Sequence, residues 1–221
     1  TITIKKGLPL KGTGQKLSED YIFAFETEPD KTGDKEYKGS LYFGYSLLEF
    51  STKDTPLIPI SLYTADRNTK EAVVNTTIYK FNNSDDFINA VKTIYEKPHW
   101  AYAAYQDNLI DTMNLSKISS FDQTFDLTVW QERYLSVPEA LTKGVYLIES
   151  TYNGLTAQVL VQSTDISAYY VESDTLTLFW VNNLRTGKPV ESAKITIGGD
   201  NLTYTTDEFG LASFDTVYTE P

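Results

Sequence analysis

The 221-residue chain carries 19 Lys plus Arg against 30 Asp plus Glu, a formal net charge of −11, with one His and no Cys. The lack of Cys excludes disulfides, thiol nucleophiles and thiolate zinc sites, and a single His excludes a two-histidine metal site. The acidic balance argues against a nucleic-acid surface, which needs clustered Lys or Arg, and no apolar run approaches the roughly 20 residues that span a bilayer.

The first residues, Thr1-Ile2-Thr3-Ile4, read as a strand already under way with no signal peptide, so an excised piece of a longer protein is expected. Tyr21, Phe23 and Phe25 alternate with Ile22 and Ala24 in a second strand. Glu28 to Gly39 is polar and poor in apolar residues, the composition of a linker or long loop. Ile58, Ile60 and Leu62 then alternate with Pro59, Ser61 and Tyr63. Such period-two patterns place one face of a strand toward a core and one toward water.

The pattern changes at Ser84-Asp85-Asp86, which can cap a helix with carboxylates at its positive end. Phe87, Val91, Ile94 and Tyr95 follow at helical spacing, and Pro98 ends the run. Trp100 to Met113 is read as a second helix, with Ala101, Ala104, Tyr105 and Leu109 on one side. Both helices are expected to be a structural insertion between strands, with a partner-docking element as the sharper alternative.

Alternation returns with Phe125, Leu127 and Val129. Residues 144 to 162 form two apolar runs around Asn153-Gly154, a tight-turn pair that predicts a hairpin. Ser163-Thr164-Asp165 is a candidate joint between strand runs. Beyond it, Leu176, Leu178 and Trp180 alternate with Thr175, Thr177 and Phe179, and Ile195 and Ile197 flank Thr196. Turns are signalled at Asn183 to Pro189 and at Asp207-Glu208-Phe209-Gly210, the latter between Leu202–Thr205 and Leu211–Phe214.

Few residues could carry chemistry. His99 is the sole imidazole and reads better as a structural residue than as a general base. Asp85 and Asp86 are explained by helix capping, and Asp107 and Asp111 by a solvated helix face. Asp207, Glu208 and Gly210 faintly resemble a calcium loop but lack its spacing of oxygen ligands, so a turn-forming Asp is the better account. No nucleophile elbow, phosphate loop or metalloprotease motif is present. The Asn-x-Ser/Thr triplets at Asn75, Asn82, Asn114 and Asn201 are expected by chance in so Thr- and Asn-rich a chain. Exposed Tyr clusters could bind sugar rings, although Tyr is also common in strands.

Three segments carry a family resemblance. Thr186 to Ile195 (TGKPVESAKI), followed by Thr205 to Ala212 (TTDEFGLA), resembles the strand–turn pattern of macroglobulin domains in bacterial alpha-2-macroglobulin-like proteins. Lys143 to Ile148, Ala157 to Val161 and Thr164-Asp165-Ile166, with Phe179 to Pro189 after them, resemble one such domain running into the next; Thr142-Lys143 stands where the family has Pro. Gly7 to Leu10 and Leu17 to Pro29 resemble the last strands of a bacterial Ig-like domain. The resemblance leaves out residues 84 to 120.

The resemblance implies a protease trap, in which cleavage of a bait segment triggers a change of shape that entangles the protease. It implies no catalytic, cofactor-binding or metal-binding residue here, and the lack of Cys leaves no thioester. The expected fold is mainly β: tandem Ig-like or macroglobulin antiparallel β-sandwiches with a helical insertion at about 84–114. The expected order is the C-terminal strands of an Ig-like domain (1–29), a macroglobulin-type sandwich (30–164) and the N-terminal part of a second (165–221). The expected role is a non-catalytic scaffold piece of an extracytoplasmic endopeptidase inhibitor. Its partners would be proteases, through the intact parent, and other macroglobulin domains of the same chain, with no cofactor and no nucleic acid. The alternatives are a module of a surface adhesin or stalk, or a carbohydrate-binding module.

Overall fold

In a computed structural model the described residues are 2–9, 11–12, 14–24, 38–95, 109–197 and 202–215. They divide into two compact units, the first ending at Tyr37 and the second beginning at Lys38. In the first unit, β1 (Ile2–Ile4) and β2 (Tyr21–Phe23) pair antiparallel, with Ile2 opposite Phe23. The pairing is continued by Gly7 N–H to Leu17 O (2.8 Å) and by a bridge between Pro9 and Lys16. Asp20 fastens it, accepting from Lys5 Nζ at 2.7 Å and from the Lys6 amide at 2.8 Å. The alternation at Tyr21 to Phe23 buries neither face among the described residues.

The second unit opens with a β-sandwich. Its strands are β3 (Gly39–Phe43), β4 (Leu47–Phe50), β5 (Leu57–Thr64), β6 (Glu71–Lys80), β7 (Ser116–Asp126), β8 (Arg133–Ser136), β9 (Gly144–Tyr152) and β10 (Leu155–Ser163), with helix α1 (Ser84–Tyr95) between β6 and β7. One sheet has the order β4-β10-β9-β6-β7 and the other β3-β5-β8. All pairings are antiparallel except β4 with β10. Between the sheets lies the core. Leu41, Ile58, Ile60, Leu62 and Leu135 meet Val74, Ile78, Tyr146, Ile148, Val159 and Val161. The Ile58, Ile60, Leu62 face is thus the buried one, as its alternation predicts.

One pair of core positions is polar. Thr76 on β6 and Ser150 on β9 are register partners, fully buried, and their hydroxyls lie 2.8 Å apart. Each satisfies the other, which removes the cost of desolvating either alone.

Strand β9 is buried on both faces. Tyr146 and Ile148 point into the sandwich, while Leu147 and, on β10, Leu160 point to the far side and meet Phe87 and Ala90 of α1. Phe81 and Phe87 pack edge-on, with ring centroids 5.4 Å apart. The helix begins one residue after the position that caps it. Asn83, not Ser84, is the cap: its Oδ1 accepts the Asp86 amide and its amide donates to Asp86 Oδ2, both at 2.8 Å.

The helical insertion is shorter than the sequence suggests. Residues 109–112 have no regular structure and a turn follows, so the expected second helix does not reach Met113; its residues 100–108, and His99, lie outside the described residues. In place of a helix, the side-chain amide of Gln158 holds the Ile110 backbone, accepting its N–H at 2.6 Å and donating to its carbonyl at 3.0 Å.

The chain continues into a second set of strands: β11 (Ile166–Glu172), β12 (Leu176–Asn183), β13 (Lys188–Pro189), β14 (Lys194–Ile197), β15 (Leu202–Thr205) and β16 (Leu211–Asp215). β12 pairs antiparallel with β11 on one side and with β16 and β13 on the other, and β14 pairs with β15. The Asn153-Gly154, Gly187 and Gly210 turns lie where the sequence places them. Gly210, at φ 73°, has the Val181 carbonyl so close that a Cβ would collide with it. The face of β12 packed inward is not Leu176, Leu178 and Trp180. Thr177 and Val181 are buried and Phe179 stacks on Phe214, which in turn stacks on Tyr204 of β15 at 3.9 Å, whereas Leu176 and Trp180 are about half exposed.

Two outcomes follow from this packing. Thr76→Val alone strands the Ser150 hydroxyl and should cost about 1–3 kcal/mol in urea unfolding, whereas Thr76→Val with Ser150→Ala should restore most of the loss. Amide hydrogen exchange should be slowest in β5, β6, β9 and β10 and faster in β1, β2 and β11–β16, where few side chains are buried.

Candidate functional site

Three places bring functional-type side chains together. The first is a cleft of about 540 Å³ between α1 and residues 109–115. Its carboxylates are Asp86 and Asp111, and both have structural work: Asp86 completes the helix cap, and Asp111 Oδ1 accepts the Met113 amide at 2.9 Å. The remaining walls are largely Phe81, Ala90, Ile94, Ile110 and Leu115. No group of three or more His, Cys, Asp or Glu side chains that could hold a metal occurs among the described residues.

Several other singled-out residues have structural partners. Asp207 Oδ1 accepts the amides of Phe209 and Leu211, both at 2.9 Å, so its carboxylate closes the turn as expected. Asn75 donates to Asp122 at 2.8 Å, and Asn82 bridges Asn114 and Ser116. Asp107, His99 and Asn201 lie outside the described residues.

The second place is the junction at Asp165, where β10 hands over to β11 with two residues between them. The Thr164 amide donates to Phe50 O at 2.9 Å, and the Leu184 amide to Asp165 O at 2.7 Å. The Asp165 carboxylate accepts from Thr52 Oγ1 at 2.7 and 2.8 Å and from the Thr52 amide at 3.1 Å. Arg185 Nη1 stands 3.5 Å away on the other side. One carboxylate therefore ties the β4–β5 loop of the sandwich to the β12–β13 turn of the second set of strands. The Thr52 hydroxyl above all, then its amide and the Arg185 charge, hold the Asp165 carboxyl below its ordinary value despite some desolvation.

The third place is the outer face of the β3-β5-β8 sheet. Tyr42, Tyr63 and Tyr134 point away from the core because their neighbours Leu41, Leu62 and Leu135 point into it. Trp130 joins them from the β7–β8 loop, its ring 6.2 Å from that of Tyr63. The period-two run expected to continue through Val129 stops at Asp126. There Thr128 turns back, its amide and hydroxyl donating to Asp126 Oδ1 at 2.8 and 2.6 Å.

No protein-family model matches the chain, and no curated protein sequence does. Solved structures do. Native alpha-2-macroglobulin from Escherichia coli spanning domains NIE-MG1 is 15% identical, with a TM-score of 0.52 over 83% of this chain and 90% of that one. The same protein spanning domains MG0-NIE-MG1 is also 15% identical, with a TM-score of 0.56 over 97% of this chain and 67% of that one. A Salmonella alpha-2-macroglobulin, mutant Y1175G, aligns at 13% identity and a TM-score of 0.49, and the chain spans 12% of its length.

The fold is that of bacterial alpha-2-macroglobulin domains. At this identity the likeness is one of architecture: mainly β, in several antiparallel sheets with a short helical insertion. Of the three places, the junction is signalled in the sequence as Ser163-Thr164-Asp165, and the cleft in part through Asp86 and Asp111. Sequence reasoning missed the anchors Thr52 and Arg185, which lie 113 and 20 positions away.

Because the folded Asp165 carboxyl titrates below its ordinary 3.8, the tie is complete above that pH and is lost as the pH falls through the lower folded value. In an NMR pH titration the Thr52 amide should shift with a midpoint below 3.8, and in Asp165→Asn that titration should vanish.

Proposed function

We propose that the chain is a non-catalytic scaffold segment of an alpha-2-macroglobulin-like endopeptidase inhibitor acting outside the cytoplasm. The observation that carries this reading is the junction. The segments that resemble one macroglobulin domain running into the next meet at Asp165, whose carboxylate joins the β4–β5 loop to the β12–β13 turn through Thr52 and Arg185. Such a joint suits a part whose task is to hold neighbouring domains in a set geometry. The fold shared with bacterial alpha-2-macroglobulin domains supports the scaffold reading. In this reading residues 1–29 end a preceding domain, 30–164 form a nearly complete macroglobulin-type sandwich and 165–221 begin the next. The proteases would meet the intact parent, and the contacts of this segment would be with other domains of its own chain.

The test is the complete gene product. Its sequence beyond Pro221 is expected to contain further macroglobulin domains. The full product is expected to slow a protease acting on a protein substrate, while the 221-residue segment alone leaves the protease unaffected. A parent without further macroglobulin domains, or one that leaves the protease unaffected, overturns the proposal.

A further inference from the structure

Strand β11 presents an open backbone edge. β12 pairs with β11 on one side and with β13 and β16 on the other, and among the described residues no strand pairs with the far side of β11. Two hydrogen bonds that bracket the strand show which groups point there. The Leu184 amide donates to Asp165 O at 2.7 Å, and the Ser173 amide to Leu176 O at 2.9 Å. In an antiparallel pair such bonding recurs at every second residue. Ser167, Tyr169 and Val171 therefore face β12, whereas Ile166, Ala168, Tyr170 and Glu172 turn their N–H and C=O groups outward. Of these groups the Ile166 amide is engaged, donating to Thr164 Oγ1 at 3.1 Å.

Edge strands are ordinarily blunted by shortness, a bulge, a Lys or a Pro. The sandwich shows these devices: β4 and β8 have four residues each, and β7 carries Lys117 and a register shift against β6 at Ile78/Tyr79. β11 has none of them. Its seven residues, Ile-Ser-Ala-Tyr-Tyr-Val-Glu, contain no Lys, Pro or Gly and run against β12 without a register break. Tyr169 is 64% and Tyr170 59% exposed, so nothing covers this edge from either face.

We infer that β11 is a self-pairing edge: two copies of the chain join through it, antiparallel about a two-fold axis with Tyr169 opposite Tyr169 of the second copy. The strand fits itself in this register. Ala168 falls opposite Tyr170 of the second copy and Ile166 opposite Glu172, so the outward backbone groups of all four residues meet partners. Tyr170, which stacks on Phe179 at 5.5 Å, gains the small Ala168 as its neighbour and not another large ring. On the other face Tyr169 adjoins Trp180, which is about half exposed, and the two-fold makes a continuous aromatic row from one Trp180 to the other. Charge favours the same arrangement. Glu172 is the one charged residue that each copy brings along the strand, and the register sets the two carboxylates about 20 Å apart, whereas a parallel pairing would place them side by side. The inference does not rest on the scaffold role proposed above.

Sedimentation equilibrium of the 221-residue chain, from micromolar to millimolar concentration, is expected to show a species of twice the 25.0 kDa chain mass. Amide exchange at Ala168, Tyr170 and Glu172 should slow as that species fills, while Ser167 and Val171, already bonded to β12, change little. Tyr169→Lys and Tyr169→Glu each set like charges against one another across the two-fold and should each weaken association about tenfold or more. An equimolar mixture of the two variants should recover it, because position 169 opposes itself. Ala168→Pro removes an outward N–H and leaves the β11–β12 ladder intact, so it should also keep the chain monomeric. Met113→Lys, at an exposed position between α1 and β7, should leave association unchanged. The inference is overturned if the chain stays monomeric up to millimolar concentration, if Tyr169→Lys and Ala168→Pro associate as tightly as the parent, or if mixing the two charged variants recovers nothing. Association that slows exchange outside β11 and not within it overturns the inference equally, since another surface would then join the copies.

Discussion

The strands β9 and β10 are the constraint on which the rest of unit two depends. A strand apolar on alternate positions needs one cover; a strand apolar on consecutive positions needs two. Tyr146-Leu147-Ile148 is such a run, and all three residues are buried. The inner cover is the β3-β5-β8 sheet, and the outer cover is α1. This explains why a nearly all-β chain carries a helix at this point: without it Leu147 and Leu160 would face water. The Asn83–Asp86 cap fixes where that cover starts, and Phe81 against Phe87 fixes how it sits.

Two glutamines do the work of absent strands. Gln158, on the outer face of β10, pairs with both backbone groups of Ile110 and so draws residues 109–111 onto the sheet. Gln123, on β7, accepts the Ser136 amide at 2.8 Å and donates to the Tyr134 carbonyl at 2.9 Å. That amide joins the last strand of one sheet to the last strand of the other, satisfying backbone groups of β8 that would otherwise face outward along an open edge. A primary amide is suited to both tasks because it offers a donor and an acceptor side by side, as a peptide group does.

Local signals were legible in the sequence and distant partnerships were not. Asn153-Gly154 announces its hairpin because both residues must adopt positive φ, and they do, at 48° and 75°. Ile58, Ile60 and Leu62 announce their buried face because their alternates are Pro, Ser and Tyr. β12 misleads because Thr177 and Phe179 alternate with Leu and Trp; hydropathy alone favours Leu176 and Trp180 for the core, but Thr177 and Val181 are the buried positions and Phe179 on the same face stacks on Phe214. The helix beyond residue 108 fails for a different reason. Leu109 fits an apolar helical face, yet Gln158 holds both backbone groups of Ile110, and residues 109–112 have no regular structure. The ring of contacts around Asp165 and the loop beneath Trp130 depend on residues far apart or on turn hydrogen bonds, and neither leaves a periodic trace.

The place at which the sandwich passes the chain onward has a mechanical consequence. β10 is an inner strand, zipped to β9 along one side and to β4 along the other, and it leads straight through Thr164 and Asp165 into β11. Tension applied downstream runs along the axis of β10 and loads both ladders together in shear, whereas an outermost strand could be peeled away one hydrogen bond at a time. Displacement of the strands after Asp165 would thus be felt in the middle of the sheet, and the Thr52–Asp165 contact lies where that load enters.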